Sequence, residues 1–160
     1  VSEQGESPAW HDDALIELAR QASRLPGAAE PDWSQRSRVE FRGQGRDDWF
    51  ARVRTDRKWY LELAFHTQKG AFDEEDLADE LALPTWDEIE GLPIYGRGSR
   101  VRILTHAQGH DRITIQAHFK KDVTSQGFKS FLMAAWRRYQ ERDGRGSASA
   151  KRERSEDENA

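Results

Sequence analysis

The stretch from residue 38 to residue 66, RVEFRGQGRDDWFARVRTDRKWYLELAFH, decides the fold. Val39 and Phe41 share one side of its first segment. Gly43-Gln44-Gly45-Arg46-Asp47 is a turn cluster. Trp49, Ala51 and Val53 then alternate with Phe50, Arg52 and Arg54, and Thr55-Asp56-Arg57 is a second tight turn. Trp59, Leu61, Leu63 and Phe65 alternate with Tyr60, Glu62, Ala64 and His66. Period-two alternation between turn clusters predicts a three-stranded antiparallel meander, apolar on one face and polar on the other.

Helices are expected on either side of this meander. Ser7 can cap and Pro8 suits a first helical position, ahead of an apolar stripe formed by Ala14, Leu15, Leu18, Ala19, Ala22 and Leu25. Pro26-Gly27 ends that helix, and Trp33 in the following loop is expected to anchor onto the core. Phe72 to Leu83 reads as a second helix, with acids in its first turn where the helix dipole favours them. Thr85 and Glu88 have capping-box spacing for a short helix after Pro84, closed by Gly91 and Pro93. Two further strands follow. Val101 and Ile103 alternate with Arg100 and Arg102, and Ile113, Ile115, Ala117 and Phe119 alternate with Arg112, Thr114, Gln116 and His118. Ala107 to Asp111, centred on Gly109, reads as the connecting turn. Thr124 or Ser125 caps a last helix striped by Phe128, Phe131, Leu132, Ala135, Trp136 and Tyr139, and Gly144 stops it.

The order is α-βββ-α-ββ-α, an α+β domain with a five-stranded, mostly antiparallel sheet and helices on its apolar face. Over roughly residues 8–143 this order resembles the fold shared by type III secretion chaperones and the YbjN-like proteins. No motif of those families accompanies it, so no residue takes a family role. Residues 1–7 and the Gly, Ser and charge-rich stretch 144–160 read as disordered flanks of one domain.

Composition narrows the function classes. With no cysteine there is no disulfide framework, thiolate metal site or cysteine nucleophile, and a reducing compartment fits. No run approaches the ~18 apolar residues of a membrane span. The acidic, polar N-terminus has no secretory-signal pattern, so a cytoplasmic location is expected. Val1 in the initiator position reads as a literal GTG start, as expected of a bacterial gene. The net charge of −4 is strongly segregated. Nine acids and no bases fall between Phe72 and Glu90, whereas the rest of residues 36–146 holds twenty bases and nine acids.

No motif names a reaction. Glu62, His66, His106 and His118 lie on the polar parity of their strands and are of the types that build metal or acid–base sites. Across the expected hairpin, however, His106 and His118 stand roughly 20 Å apart. These histidines, with His11 and with His110 in the turn, read as solvated surface residues. Gly43-Gln44-Gly45 and Gly96-Arg97-Gly98 do not follow a strand and open a helix, as a phosphate cradle must. The acids from Asp73 onward lack calcium-loop spacing. No catalytic residue, cofactor or metal is therefore assigned.

Two readings remain. The leading one is a non-catalytic protein-binding or adaptor module, chaperone-like or an immunity or accessory protein, with a protein partner or self-association through its opposed charges. The alternative is a nucleic-acid-binding accessory protein. It would use a polar sheet face carrying Arg52, Arg54, Tyr60, Arg100, Arg102 and Arg112, where arginines neutralise phosphate and a ring stacks on a base. A weaker, enzymatic reading centres on Glu62 and His66. Of the six tryptophans, Trp49, Trp59 and Trp136 fall on apolar parity and are expected in the core. Trp10, Trp33 and Trp86 lie at element starts or in loops, where lids and interface anchors are found.

Overall fold

The computed structural model describes residues 10, 12–57, 60–88, 100–105 and 110–141. The expectations for Ser7-Pro8, His11, Trp59, Gly91, Pro93, Gly96-Arg97-Gly98, His106, Gly109 and both flanks lie outside these residues. Helix α1 is Asp12–Ser23, followed by strands β1 (Arg38–Arg42), β2 (Trp49–Arg54) and β3 (Leu61–Gln68). Helix α2 (Glu74–Leu81) and a 3-10 turn (Trp86–Glu88) precede strands β4 (Val101–Thr105) and β5 (His110–Ala117). A short helix α3 (Lys121–Thr124) leads into helix α4, residues 126–141. The five strands form one antiparallel sheet in the order β1-β2-β3-β5-β4. The α+β arrangement and element order are those read from the sequence, with α3 as an addition.

Local chemistry sets the boundaries. Asp73 in extended conformation caps α2 by accepting from the Asp76 amide at 3.1 Å, and Ala82 closes it in the left-handed region at φ 50°. The Ser125 hydroxyl accepts from the Phe128 amide at 3.1 Å, which makes it the cap of α4. The Glu88 carboxylate accepts from the Thr85 amide at 3.2 Å, so half of the anticipated capping box forms.

One core joins the helices to a single face of the sheet. Ala14, Leu18 and Ala22 of α1, Leu77 and Leu81 of α2, and the α4 stripe from Phe128 to Tyr139 are all buried against the odd-numbered residues of the strands. Phe50 lies at its centre, 5.1 Å from Trp136, 5.4 Å from Tyr139 and 5.5 Å from Phe65 between ring centroids. Tyr139 ties α4 to the β1–β2 hairpin: its hydroxyl accepts from the Gly43 amide at 3.0 Å and donates to the Asp48 carbonyl at 2.9 Å. A Cβ on Gly43 would stand 3.1 Å from the Arg46 side chain and 3.3 Å from that ring, so any larger residue makes these neighbours give by a few tenths of an ångström.

Phe50 and Trp49 correct the parity expected from sequence. Phe41 pairs with Ala51, but the next residue, Arg42, pairs with Trp49. Phe50 is thus the extra residue of a β-bulge, which turns it into the core and rotates Trp49 onto the opposite face. Three other expectations change. Trp33 is 54% exposed and does not anchor the core. His110 belongs to β5 rather than to a turn. His118 is buried at 2% rather than solvated.

Local structure covers the β1 edge and occupies one amide of the β4 edge. Outside β1, the 28–32 segment bridges to it, with the Ala29 amide donating to the Arg42 carbonyl and Asp32 exchanging backbone bonds with Glu40. Outside β4, the Ile103 amide donates to the Glu74 carboxylate of α2 at 2.8 Å. Satisfying outward-facing edge groups in this way removes a template for strand addition.

Candidate functional site: the open face of the sheet

The helices leave the second face of the sheet uncovered, and its side chains stand in cross-strand rows set by the register. One row runs Arg38, Arg54, Glu62 and Gln116. The next runs Glu40, Arg52, Ala64, Thr114 and Arg102. A third carries Arg42 beside Trp49, then His66, Arg112 and Leu104. Small residues occupy the middle row at the sheet centre, and long side chains surround them.

The β1–β2 half of this face is electrostatically closed. Glu40, buried, holds the Arg52 guanidinium at 2.7–2.8 Å, Arg42 at contact distance, and Arg38 at 3.7 Å. Arg42 also stands 3.5 Å from Asp32. The Ser34 hydroxyl and amide donate to Asp32, and together with Arg42 they hold its carboxyl below the usual carboxylate range. Arg52 lies 4.5 Å over the Trp49 ring, on which His66 stacks at 3.8 Å. His66 in turn meets the edge of His110 at 4.8 Å. The result is a continuous carboxylate–guanidinium–indole–imidazole series across β1, β2, β3 and β5.

One end of the face is roofed. The Trp86 indole donates to the Gln116 side chain at 2.7 Å, lies 5.9 Å from the Tyr60 ring and 4.1 Å under the Arg100 guanidinium. Arg100 is only 3% exposed, and it donates to Asp122 at 2.8 Å and to the Pro84 carbonyl at 3.1 Å. The same Asp122 oxygen accepts from the His118 and Phe119 amides.

The six residues singled out from sequence therefore separate. Arg100 is internal, and Tyr60 is engaged with Trp86. Arg52 is held by Glu40, and Arg54 by Asp56 at 3.0 Å with Glu62 at 4.0 Å. The Asp56 bond leads the interactions that raise Arg54 above its ordinary pKa. Arg102 and Arg112 have no carboxylate within ion-pair distance among the described residues. Leu104, 57% exposed, lies between them in register, two residues along β4 from Arg102 and paired with Arg112. Sequence parity had marked the arginines but not Leu104. The signal was there: Leu104 breaks the polar alternation of Arg100 and Arg102.

Catalytic geometry is not assembled from Glu62 and His66. They share a face but sit four residues apart on β3, about 13 Å. Among the described residues no cluster of three or more metal-ligating side chains occurs, and no helix is long and apolar enough to cross a membrane. Helix α2 does not cover the arginines. It packs beside β4 with Leu77 and Leu81 turned into the core, and Asp73, Glu75, Asp76, Asp79 and Glu80 remain exposed. No family model, curated protein or solved structure matches this chain, so the likeness to secretion chaperones rests on element order alone.

Proposed function

We propose that this chain is a non-catalytic protein-binding module acting in the cytoplasm, and that the open face of its sheet is the binding surface. One observation carries the reading: an exposed leucine flanked by two guanidiniums that no carboxylate of the described residues neutralises. Every other arginine of the face named from sequence is already committed within the fold. An exposed apolar side chain framed by unpaired cations is the composition of a small interface, apolar at its centre and charged at its rim.

The nucleic-acid alternative has less support. Single-strand binding uses open aromatic faces on which bases stack. Here Trp49 is engaged by His66 and Arg52, and Tyr60 by Trp86. The two guanidiniums that lack a carboxylate among the described residues would give a salt slope of only about −1.4.

Affinity capture from native cytosol tests the reading, run with and without nuclease and with two baits. The baits are the wild-type chain and Arg102→Glu/Arg112→Glu. A protein recovered by wild type in both nuclease arms and lost with the variant supports it. Equal recovery by both baits removes the sheet face as the interface. Recovery of nucleic acid alone, abolished by nuclease, returns the alternative to first place.

A further inference from the structure

We infer that the occupant of this surface is an extended acidic segment of a partner protein, with carboxylates at alternate positions and an apolar residue beside them. The inference rests on the binding-module reading above and gives it a partner chemistry.

Charge sets the sign. Arg102 is exposed and Arg112 half-buried, and neither has a carboxylate partner among the described residues. Glu40 shares a cross-strand row with Arg102 but lies on β1 at the opposite edge of the sheet, saturated by arginines, while Glu74, the acid at the β4 edge, places its carboxylate on the Ile103 amide. Arg112 also lies 5.9 Å from the Trp49 ring centroid, a contact that brings no counter-charge to it.

Spacing sets the shape. Arg102 pairs with Thr114 and Leu104 with Arg112, so the two arginines are diagonal neighbours on adjacent strands. Diagonal positions in an antiparallel pair are about 7–8 Å apart. Alternate residues of an extended chain lie about 6.6 Å apart on one side. A segment bearing acid, any residue, acid therefore meets both guanidiniums without bending, and each carboxylate can take a forked pair of hydrogen bonds from arginine. Leu104 lies beside that line and receives an apolar residue.

The segment lies on the face rather than joining the edge. The outward Ile103 amide is already satisfied by Glu74, so strand addition at β4 would have to displace that bond. Side-chain contacts thus carry the binding, and affinity is salt-sensitive.

The test is fluorescence anisotropy on the full chain at low and physiological salt. The probes are a labelled twelve-residue peptide with alternating glutamates and one leucine, the same peptide with lysines, and a twelve-nucleotide oligothymidylate. The expected result is binding of the glutamate peptide alone. That binding weakens at least tenfold in Arg102→Glu and in Arg112→Glu, and several-fold in Leu104→Ser. Circular dichroism and melting of each variant establish that it is folded, and Arg36→Glu, an exposed arginine in the loop before β1, should bind as wild type does. Peptide binding that ignores all three substitutions overturns the inference, as does tighter binding of the oligonucleotide. Self-association lost in the same variants also overturns it, because the occupant is then a second copy. If no probe binds but the capture experiment still yields a protein through Arg102 and Arg112, the acidic-segment inference fails and the binding-module reading stands.

Discussion

The imidazole of His66 stacks on the indole of Trp49 with 3.8 Å between ring centroids and 25° between planes. This pair exists because of the bulge at Phe50. In an unbulged strand Trp49 would alternate with Ala51 and Val53 into the core, and His66 would lose this stacking partner. Two adjacent aromatic residues thereby acquire different roles.

Their substitution separates those roles. Phe50→Ala removes a ring from the centre of the core and should cost about 3–5 kcal/mol. Trp49→Ala loses a stack and two cation–π contacts at the face and should cost less, about 1–2 kcal/mol. Urea unfolding of both variants measures the difference. The reverse ranking would mean that the parity is the unbulged one.

Asp122 should be the most sensitive charged residue. It holds the buried Arg100 and two backbone amides at once. Removing one partner of such a pair leaves an uncompensated charge, so Asp122→Ala should cost about 3–5 kcal/mol. A loss below ~1 kcal/mol by thermal or denaturant melts would show that Arg100 finds another acceptor or reaches water.

The hydroxyl of Tyr139 can be removed alone. Tyr139→Phe strands the Gly43 amide and the Asp48 carbonyl and should cost about 1–3 kcal/mol, with little change in the spectrum of the folded state. Gly43→Ala should destabilise through the ring instead, and the two losses should not add, because both act on one contact.

Asp32 gives a pH-dependent prediction. Its carboxyl lies below the usual range in the folded chain, chiefly through Ser34 and then through Arg42. A depressed folded pKa means that the stabilisation is complete above the unfolded carboxylate pKa and is lost as pH falls through the folded value. Ser34→Ala should therefore weaken the protein at neutral pH and converge with wild type in acid. Parallel stability curves for the two proteins would contradict this.

The elements were legible in the sequence because each carries a period that only one regular structure satisfies. The α4 stripe from Phe128 to Tyr139 is buried as its spacing required. What failed was parity at a bulge. Alternation through Trp49, Ala51 and Val53 looks unbroken, since Phe50 is apolar whichever way it points, and nothing local marks the extra residue. The free and committed arginines of the face could not be told apart either. Arg52 is neutralised from β1, twelve residues upstream, and Arg100 from a helix twenty-two residues downstream. Only the register brings those partners into contact.

The anchoring of α4 also bears on the order of events at the ribosome. Its last turn closes both ends of the early chain: Trp136 and Gln140 donate to the Pro26 carbonyl, and Tyr139 grips the β1–β2 hairpin. Trp136 and Tyr139 follow every strand in the chain, yet their rings fill the space beside Phe50 of β2. The apolar face of the meander, which α1 alone of the helices precedes in the chain, therefore gains its α4 cover only after translation has passed residue 141.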